Sequence, residues 1–412
     1  MSNSFPRNAF EHHPEVPMRF PVLDGWRGLC ALCVALYHLH SIDHFHMLDF
    51  VRGSYLFVDF FFVLSGFVIL HAYSGRIGGG KSAGTFLVRR FGRVWPLHAA
   101  VLLAFVALEC VKAVSGPSGG HVGTAAFTGT YAPSALVSNL ALVHALGVED
   151  QWTWNIPSWS ISAEFFVYIT FALLCLTVRR PSVLAVAMVT LAVAGALVVM
   201  RFSANHIDTS IDYGYFRCLY GFFTGCLVYR LYQAAGGRRP DKAVSRLAGG
   251  LAEVGALLAV VAFVSAAGGN ALSLTAPLLF GLVVWVFAFE AGPVSRLLAT
   301  SPFQRLGAWS YSIYMVHALL IAVLQKGTTV MQGVLGRPLF VEREVEGGSD
   351  RLLSFGDAWV MDLVSGGYLL TVIALSALTY RFIELPGQAM VNGLPVKSRK
   401  AAPANPPMVE AA

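Results

Sequence analysis

Arg27 and His38 stand eleven positions apart in a stretch otherwise made of Gly, Leu, Cys, Ala, Val and Tyr. On an α-helix that spacing is about three turns and roughly 16 Å, so both side chains face nearly the same way at two depths. An ionisable group inside a bilayer costs about 2.5–3.5 kcal/mol on insertion scales, which makes each a functional residue by default. If the next apolar stretch returns antiparallel with its tip between Leu48 and Asp49, Asp59 reaches the depth of His38. A carboxylate beside an imidazole fixes its tautomer and stabilises the imidazolium, which suits activation of a hydroxyl nucleophile. Taken singly, His38 also reads as a hydrogen-bonded interhelical histidine, and Asp59 as a cap or packing residue.

Three further groups carry chemistry. Arg90-x-x-Arg93 presents two guanidiniums on one helical turn, a geometry for polyanions such as phosphates; the plainer role is topology and headgroup anchoring. Ser160 and Glu164 follow the helix start at Pro157-Ser158. A carboxylate there binds sugar hydroxyls or holds a polar network. Ser310, Tyr314 and His317 share one helical face, lining a water or substrate path or joining helices. His40, His44 and His46 lie at or beyond the end of the first span and read as interfacial.

The elements that position these residues are apolar. Of 412 residues, 56% are hydrophobic and 13% charged, about half the charge of a soluble domain. Spans are expected over residues 26–45, 54–73, 94–114, 158–178, 183–200, 213–232, 247–267, 271–290, 303–325 and 358–382. The stretch 134–148 is too short for a comfortable crossing. If it does not cross, nearly all Lys and Arg clusters fall on one face. This predicts an all-α membrane protein of about ten transmembrane helices. A re-entrant or interfacial segment near 134–148 is expected, with N- and C-termini cytoplasmic. Residues 326–356 form a long outer loop of mixed charge. Residues 1–22 read as a cytoplasmic tail without a cleavable signal, 23–388 as the membrane domain and 389–412 as a disordered cytoplasmic tail.

The net charge of +6 sits in short loops, so no nucleic-acid partner is expected. All six cysteines, including the Cys30-x-x-Cys33 pair, fall in apolar stretches and read as small apolar residues, with no metal site. No internal repeat is visible, which counts against an inverted-repeat transporter.

Together these residues resemble the acyltransferase-3 family of integral membrane O-acyltransferases. The resemblance begins at Leu23-Asp24-Gly25-Trp26-Arg27-Gly28-Leu29 and the Arg-x10-His spacing ending on His38. It continues through Val58-Asp59-Phe60-Phe61-Phe62-Val63-Leu64-Ser65-Gly66-Phe67 and Arg90-x-x-Arg93-x-x-Pro96. Then come Pro157-Ser158-Trp159-Ser160-Ile161-Ser162-Ala163-Glu164, Ser310 to His317, and Arg381-Phe382-Ile383-Glu384-Leu385-Pro386. Trp26 stands where the family commonly has Leu, a change of packing and not of charge.

The resemblance implies transfer of an acyl group, most commonly acetyl, from cytoplasmic acyl-CoA (acetyl-CoA) to a hydroxyl. The acceptor would be an extracytoplasmic or lipid-linked glycan or glycolipid, such as a surface polysaccharide, at a bacterial inner membrane. By the same resemblance His38 looks like the base, with Asp59 as its catalytic partner. Arg27, Arg90 and Arg93 look like the donor side, and Ser160, Glu164, Tyr314 and His317 like acceptor-side or structural residues. The chain looks like the form without an appended periplasmic hydrolase-like domain. The other class these residues admit is a proton-coupled glycan or small-molecule exporter, with His38, Asp59 and Glu164 as a relay.

Overall fold

The computed structural model describes residues 19–73, 75–115, 125–237, 243–345 and 348–393. Each of the ten expected apolar stretches overlaps a helix, although the first helix ends at Tyr37, short of the expected residue 45. The helices are α1 Pro21–Tyr37, α2 Phe57–Tyr73, α3 Gly80–Ser115, α4 Trp159–Thr177 and α5 Pro181–Phe202. They continue as α6 Gly214–Ala234, α7 Ala243–Ala267, α8 Ala276–Ala288, α9 Ser301–Leu335 and α10 Ala358–Thr379. Among the described residues, eight helices are long and apolar enough to cross a membrane.

The two that fall short, α1 and α6, are both largely enclosed by neighbouring helices. α6 packs against α2, α4, α5 and α8, and α1 against α9 and α2. Other helices cover them, so their sequences tolerate Arg27 and Arg217. By contrast α5 turns Val183, Val186, Val189, Val193, Leu197 and Met200 outward, at helical spacing, as a lipid-facing surface requires. The apolar signal is therefore strong on the peripheral α5, and the partly buried Arg27 and the buried Arg217 sit on α1 and α6.

Two glycine seams set the depth of packing. A Cβ on Gly28 of α1 would lie 2.6 Å from backbone atoms of Leu306 and Gly307 on α9. That contact brings the face carrying Arg27 directly onto the face carrying Ser310 and His317. On the α2–α6 seam, a Cβ on Gly225 would lie 1.8 Å from the Val63 carbonyl oxygen. Backbones this close pack through small residues, and Gly225→Ala must push the helices apart. We expect it to destabilise the fold by about 1–3 kcal/mol, the usual range for overpacking, read as a lower unfolding temperature in detergent.

Residues 134–148 do not form a spanning helix. Ala135–Leu140 makes one short helix of about 9 Å. It is tied to α3 by Trp95 Nε1 donating to the Leu140 carbonyl at 2.9 Å and to α4 through Ser162 Oγ donating to the Leu142 carbonyl at 2.6 Å.

The all-α expectation needs a correction over 326–356. α9 continues to Leu335, where Gly336 caps it in the left-handed conformation, and an antiparallel hairpin follows. Its strands are β1 Phe340–Val345 and β2 Gly348–Leu353, with Phe340 opposite Leu353 and Arg343 opposite Asp350. The run Phe340–Val345 followed closely by a Gly-Gly dipeptide is a hairpin signal in the sequence that the expectation of a long outer loop did not use. Residues 1–18 of the expected N-terminal tail and 394–412 of the C-terminal tail lie outside the described residues.

Candidate active site

The three donor-side arginines converge. Arg27 on α1 donates from Nε to Ser310 Oγ at 3.1 Å, from Nη2 to the Gly307 carbonyl at 3.1 Å and from Nη1 to Asp24 at 3.3 Å. Arg93 on α3 pairs with Glu384 at 2.9 Å, whose other oxygen accepts from Ser312 Oγ at 2.8 Å. Glu384 is buried and ends a single π turn, Tyr380–Glu384, after α10. Arg90, one turn from Arg93, places its guanidinium 5.7 Å from the Tyr73 ring. Its Nε is buried without a hydrogen-bond partner among the described residues.

These arginines line one cavity of about 180 Å³ together with Ser160, Glu164 and Tyr314. Its wall thus carries three guanidiniums against one carboxylate, and the acid partners of Arg27 and Arg93, Asp24 and Glu384, are not among its lining residues. Ser160 Oγ donates to the Tyr314 hydroxyl at 2.9 Å, and that hydroxyl donates to the Pro157 carbonyl at 3.0 Å. Pro157 opens the 3₁₀ turn preceding α4, so its carbonyl holds both side chains at the cavity wall. Ser65 and Tyr168, 3.0 Å apart through their hydroxyl oxygens, line it as well.

His38, His317 and Asp59 do not line this cavity. The histidines meet each other instead, with ring centroids 5.0 Å apart. His38 follows the last turn of α1, and its Nδ1 lies 2.8 Å from the Val34 carbonyl. His317 Nδ1 lies 3.3 Å from the Ile313 carbonyl, also one turn back. A carbonyl only accepts, so Nδ1 carries the proton on both rings and each Nε2 presents a lone pair. His317 Nε2 is buried with no partner among the described residues, whereas His38 is only partly buried.

Rings continue in both directions from the pair. Tyr314, at the arginine cavity, lies 5.8 Å from His317, and Tyr37 lies 4.9 Å from His38 on its far side. The Tyr368 hydroxyl donates to the Ala35 carbonyl at 3.1 Å and lies 3.4 Å from that of His317, joining α1, α9 and α10 at this level.

Asp59 is not the partner of His38, and the hairpin arithmetic is corrected on this point. Both its oxygens accept from Arg217 on α6, at 3.0 and 2.8 Å. The depth estimate ignored rotation about the helix, and α2 turns this residue towards α6. Arg217 was missed in the sequence although an arginine inside an apolar stretch is itself a signal. It also reaches the Thr209 carbonyl at 3.3 Å and Asp208 at 3.5 Å.

The histidines that read as interfacial each pair with an acid: His40 with Asp350 at 3.0 Å, His44 with Asp362 at 2.7 Å and His46 with Asp43 at 2.7 Å. The first two clamp the segment after His38 to the hairpin and to α10, and the third closes a turn within it. Burial alone would raise the Asp43 carboxyl, but hydrogen bonds from His46, Ser365, Ser41 and the His46 amide outweigh it and hold it at about 2. This segment is therefore fixed by His–Asp hydrogen bonds, and with it the position of His38.

A multi-pass helical bundle whose cavity is lined by arginines, a carboxylate and hydroxyls fits a membrane enzyme or a transporter. The acyltransferase-3 family model, described as an acyltransferase domain, matches residues 20–340, and the chain belongs to this family. It is 27% identical over 388 residues to the acyltransferase MdmB of Streptomyces mycarofaciens, covering 87% of this chain and 92% of that one. Protein 2 in the picA locus of Rhizobium radiobacter is 34% identical over 171 residues, 38% of this chain and 82% of that protein. The peptidoglycan O-acetyltransferase OatA of Listeria monocytogenes is 25% identical over 334 residues, 74% of this chain. The match spans 49% of OatA's own length. No solved structure matches.

Proposed function

We propose that the chain transfers an acyl group, acetyl first among them, from an acyl-CoA thioester to a hydroxyl of an envelope glycan, with His38 as the general base. The observation that carries this is the bare Nε2 of a partly exposed histidine, held in one tautomer and joined through His317 and Tyr314 to an arginine-lined cavity. His38 Nε2 takes the proton of the acceptor hydroxyl as its oxygen attacks the thioester carbonyl. The new C–O bond forms, the C–S bond breaks, and the leaving thiolate takes the proton from the imidazolium. The basic cavity suits the donor, because a phosphorylated carrier brings negative charge and guanidiniums bind phosphate oxygens as a fork. A volume of about 180 Å³ suits the acyl-thioester end of such a donor.

The glycan acceptor rests on relatives named as peptidoglycan O-acetyltransferases and on the hydroxyl chemistry of the site. In the same picture ten helices cross a bacterial inner membrane, the termini and the arginine side face the cytoplasm, and the His38 end faces outward. Membership of an acyltransferase family leaves the exporter without an observation in its favour. The direct test is purified protein in lipid vesicles given acetyl-CoA and isolated envelope glycan. Consumption of acetyl-CoA with formation of a base-labile ester is expected, and glycan transport without ester would sink the proposal.

Arg90 is the cavity cation without an acid partner among the described residues, so it has most to gain from a phosphate. Arg90→Ala is expected to raise KM for acetyl-CoA about tenfold, the scale of one charge-assisted contact. The KM for acceptor should stay unchanged in the same steady-state assay, and the donor effect should shrink at high salt.

A further inference from the structure

We infer that a second pocket, on the far side of the histidine pair from the arginine cavity, is the acceptor subsite and takes a neutral polyhydroxyl group. This deepens the acyl-transfer proposal and rests on it. The pocket, of about 520 Å³, lies within the range of about 300–1,000 Å³ common for small-molecule sites. It is built where three connections meet: the segment between α1 and α2, the one between α5 and α6, and the turn after α7.

Its inner wall is Tyr37, whose ring stands edge-on to His38 at 4.9 Å and tilted to Tyr55 at 5.8 Å. A group seated there is one ring away from the base, as the arginine cavity is through Tyr314 and His317. The two chambers differ in charge. The pocket carries Asp49 and Asp208 against a single guanidinium, Arg52, and Arg52 is already paired with Asp49. Besides His206, the described lining residues leave no unpaired Lys or Arg for a phosphate, so the pocket suits a neutral ligand that hydrogen bonds to carboxylate, amide and hydroxyl groups. Asp208, half exposed, and the exposed Asn205 supply such groups beside the apolar faces of Tyr37 and Tyr55, a combination that fits a sugar ring.

The pocket is also preorganised. His206 holds a left-handed backbone (φ +56°), a strain that non-glycine residues sustain where the surroundings over-determine it. Arg217, fixed by Asp59, holds Thr209 and Asp208 from below. The amide of Gly269 donates to the Tyr55 hydroxyl at 3.2 Å, closing the opposite wall.

The test uses the whole enzyme in membranes of a strain deleted for the gene, with the cell's own envelope glycans as acceptor. Base-released acyl esters are quantified by mass spectrometry, and binding of radiolabelled acetyl-CoA to the same membranes is measured alongside. Asn205→Trp, at an exposed loop position, fills the pocket, and Asp208→Ala removes the half-exposed carboxylate that Arg217 holds at 3.5 Å. Both are expected to lower ester content by about tenfold or more, with acetyl-CoA affinity within about twofold of wild type. Normal ester in both variants would overturn the subsite and leave the acyl-transfer proposal standing. Parallel loss of ester and acetyl-CoA binding would also overturn it, because the pocket would then serve the donor or the fold. If the wild type itself restores no ester, the acyl-transfer proposal fails first and takes the subsite with it.

Discussion

His38→Gln is expected to lower acyl transfer by about 10²–10⁴-fold, the usual contribution of a positioned general base, without loss of acetyl-CoA binding. Glutamine is close to histidine in size, and its amide can still donate to the Val34 carbonyl that now accepts from Nδ1. What it lacks is a basic nitrogen at the position of Nε2. The donor arginines line a separate cavity, so the loss should fall on kcat and leave the KM for acetyl-CoA in place. Stopped assays on the purified variant, with intact folding checked by its unfolding temperature, decide the matter. Transfer at the wild-type rate would remove His38 from the chemistry even though the family membership stands.

The same contacts explain what the sequence could and could not disclose. Periodicity and length found the ten helices because each has a lipid-facing or neighbour-facing apolar surface, and those signals are local. The arginines and the Ser160–Tyr314 pair were legible because polar groups in apolar stretches stand out. Six of the nine singled-out residues line one cavity. Rotation about a helix axis was not legible. Depth placed Asp59 level with His38, but azimuth is set by the α2–α6 glycine seam, which turns the carboxylate onto Arg217. Two of the three His–Asp contacts, His40 with Asp350 and His44 with Asp362, join residues more than 300 positions apart, and no local pattern announces them.

Asp59 and Arg217 provide the largest expected effect on stability. Both are almost fully buried, at 0% and 1% side-chain exposure, and their bond is bidentate. Removing one partner leaves an uncompensated charge in a low-dielectric interior, which typically costs about 3–5 kcal/mol. Asp59→Leu and Arg217→Met are each expected to destabilise by that amount, and the double variant by clearly less than their sum. Additive losses in a double-mutant cycle of detergent unfolding would show that the pair is not coupled.

The conservative Asp59→Asn separates this supporting role from a catalytic dyad. An amide still accepts from one guanidinium N–H, so part of the fold survives and the rate of the folded fraction can be measured. Asp59 has no hydrogen bond to His38, whose Nδ1 is taken by Val34. Neutralising it should therefore lower stability and weaken acceptor use through Asp208, while the pH profile of kcat keeps its midpoint. A carboxylate that stabilised the His38 imidazolium directly would, when neutralised, move that midpoint to lower pH. An unshifted profile with a lower unfolding temperature assigns Asp59 to holding Arg217, and a shifted one returns it to the base.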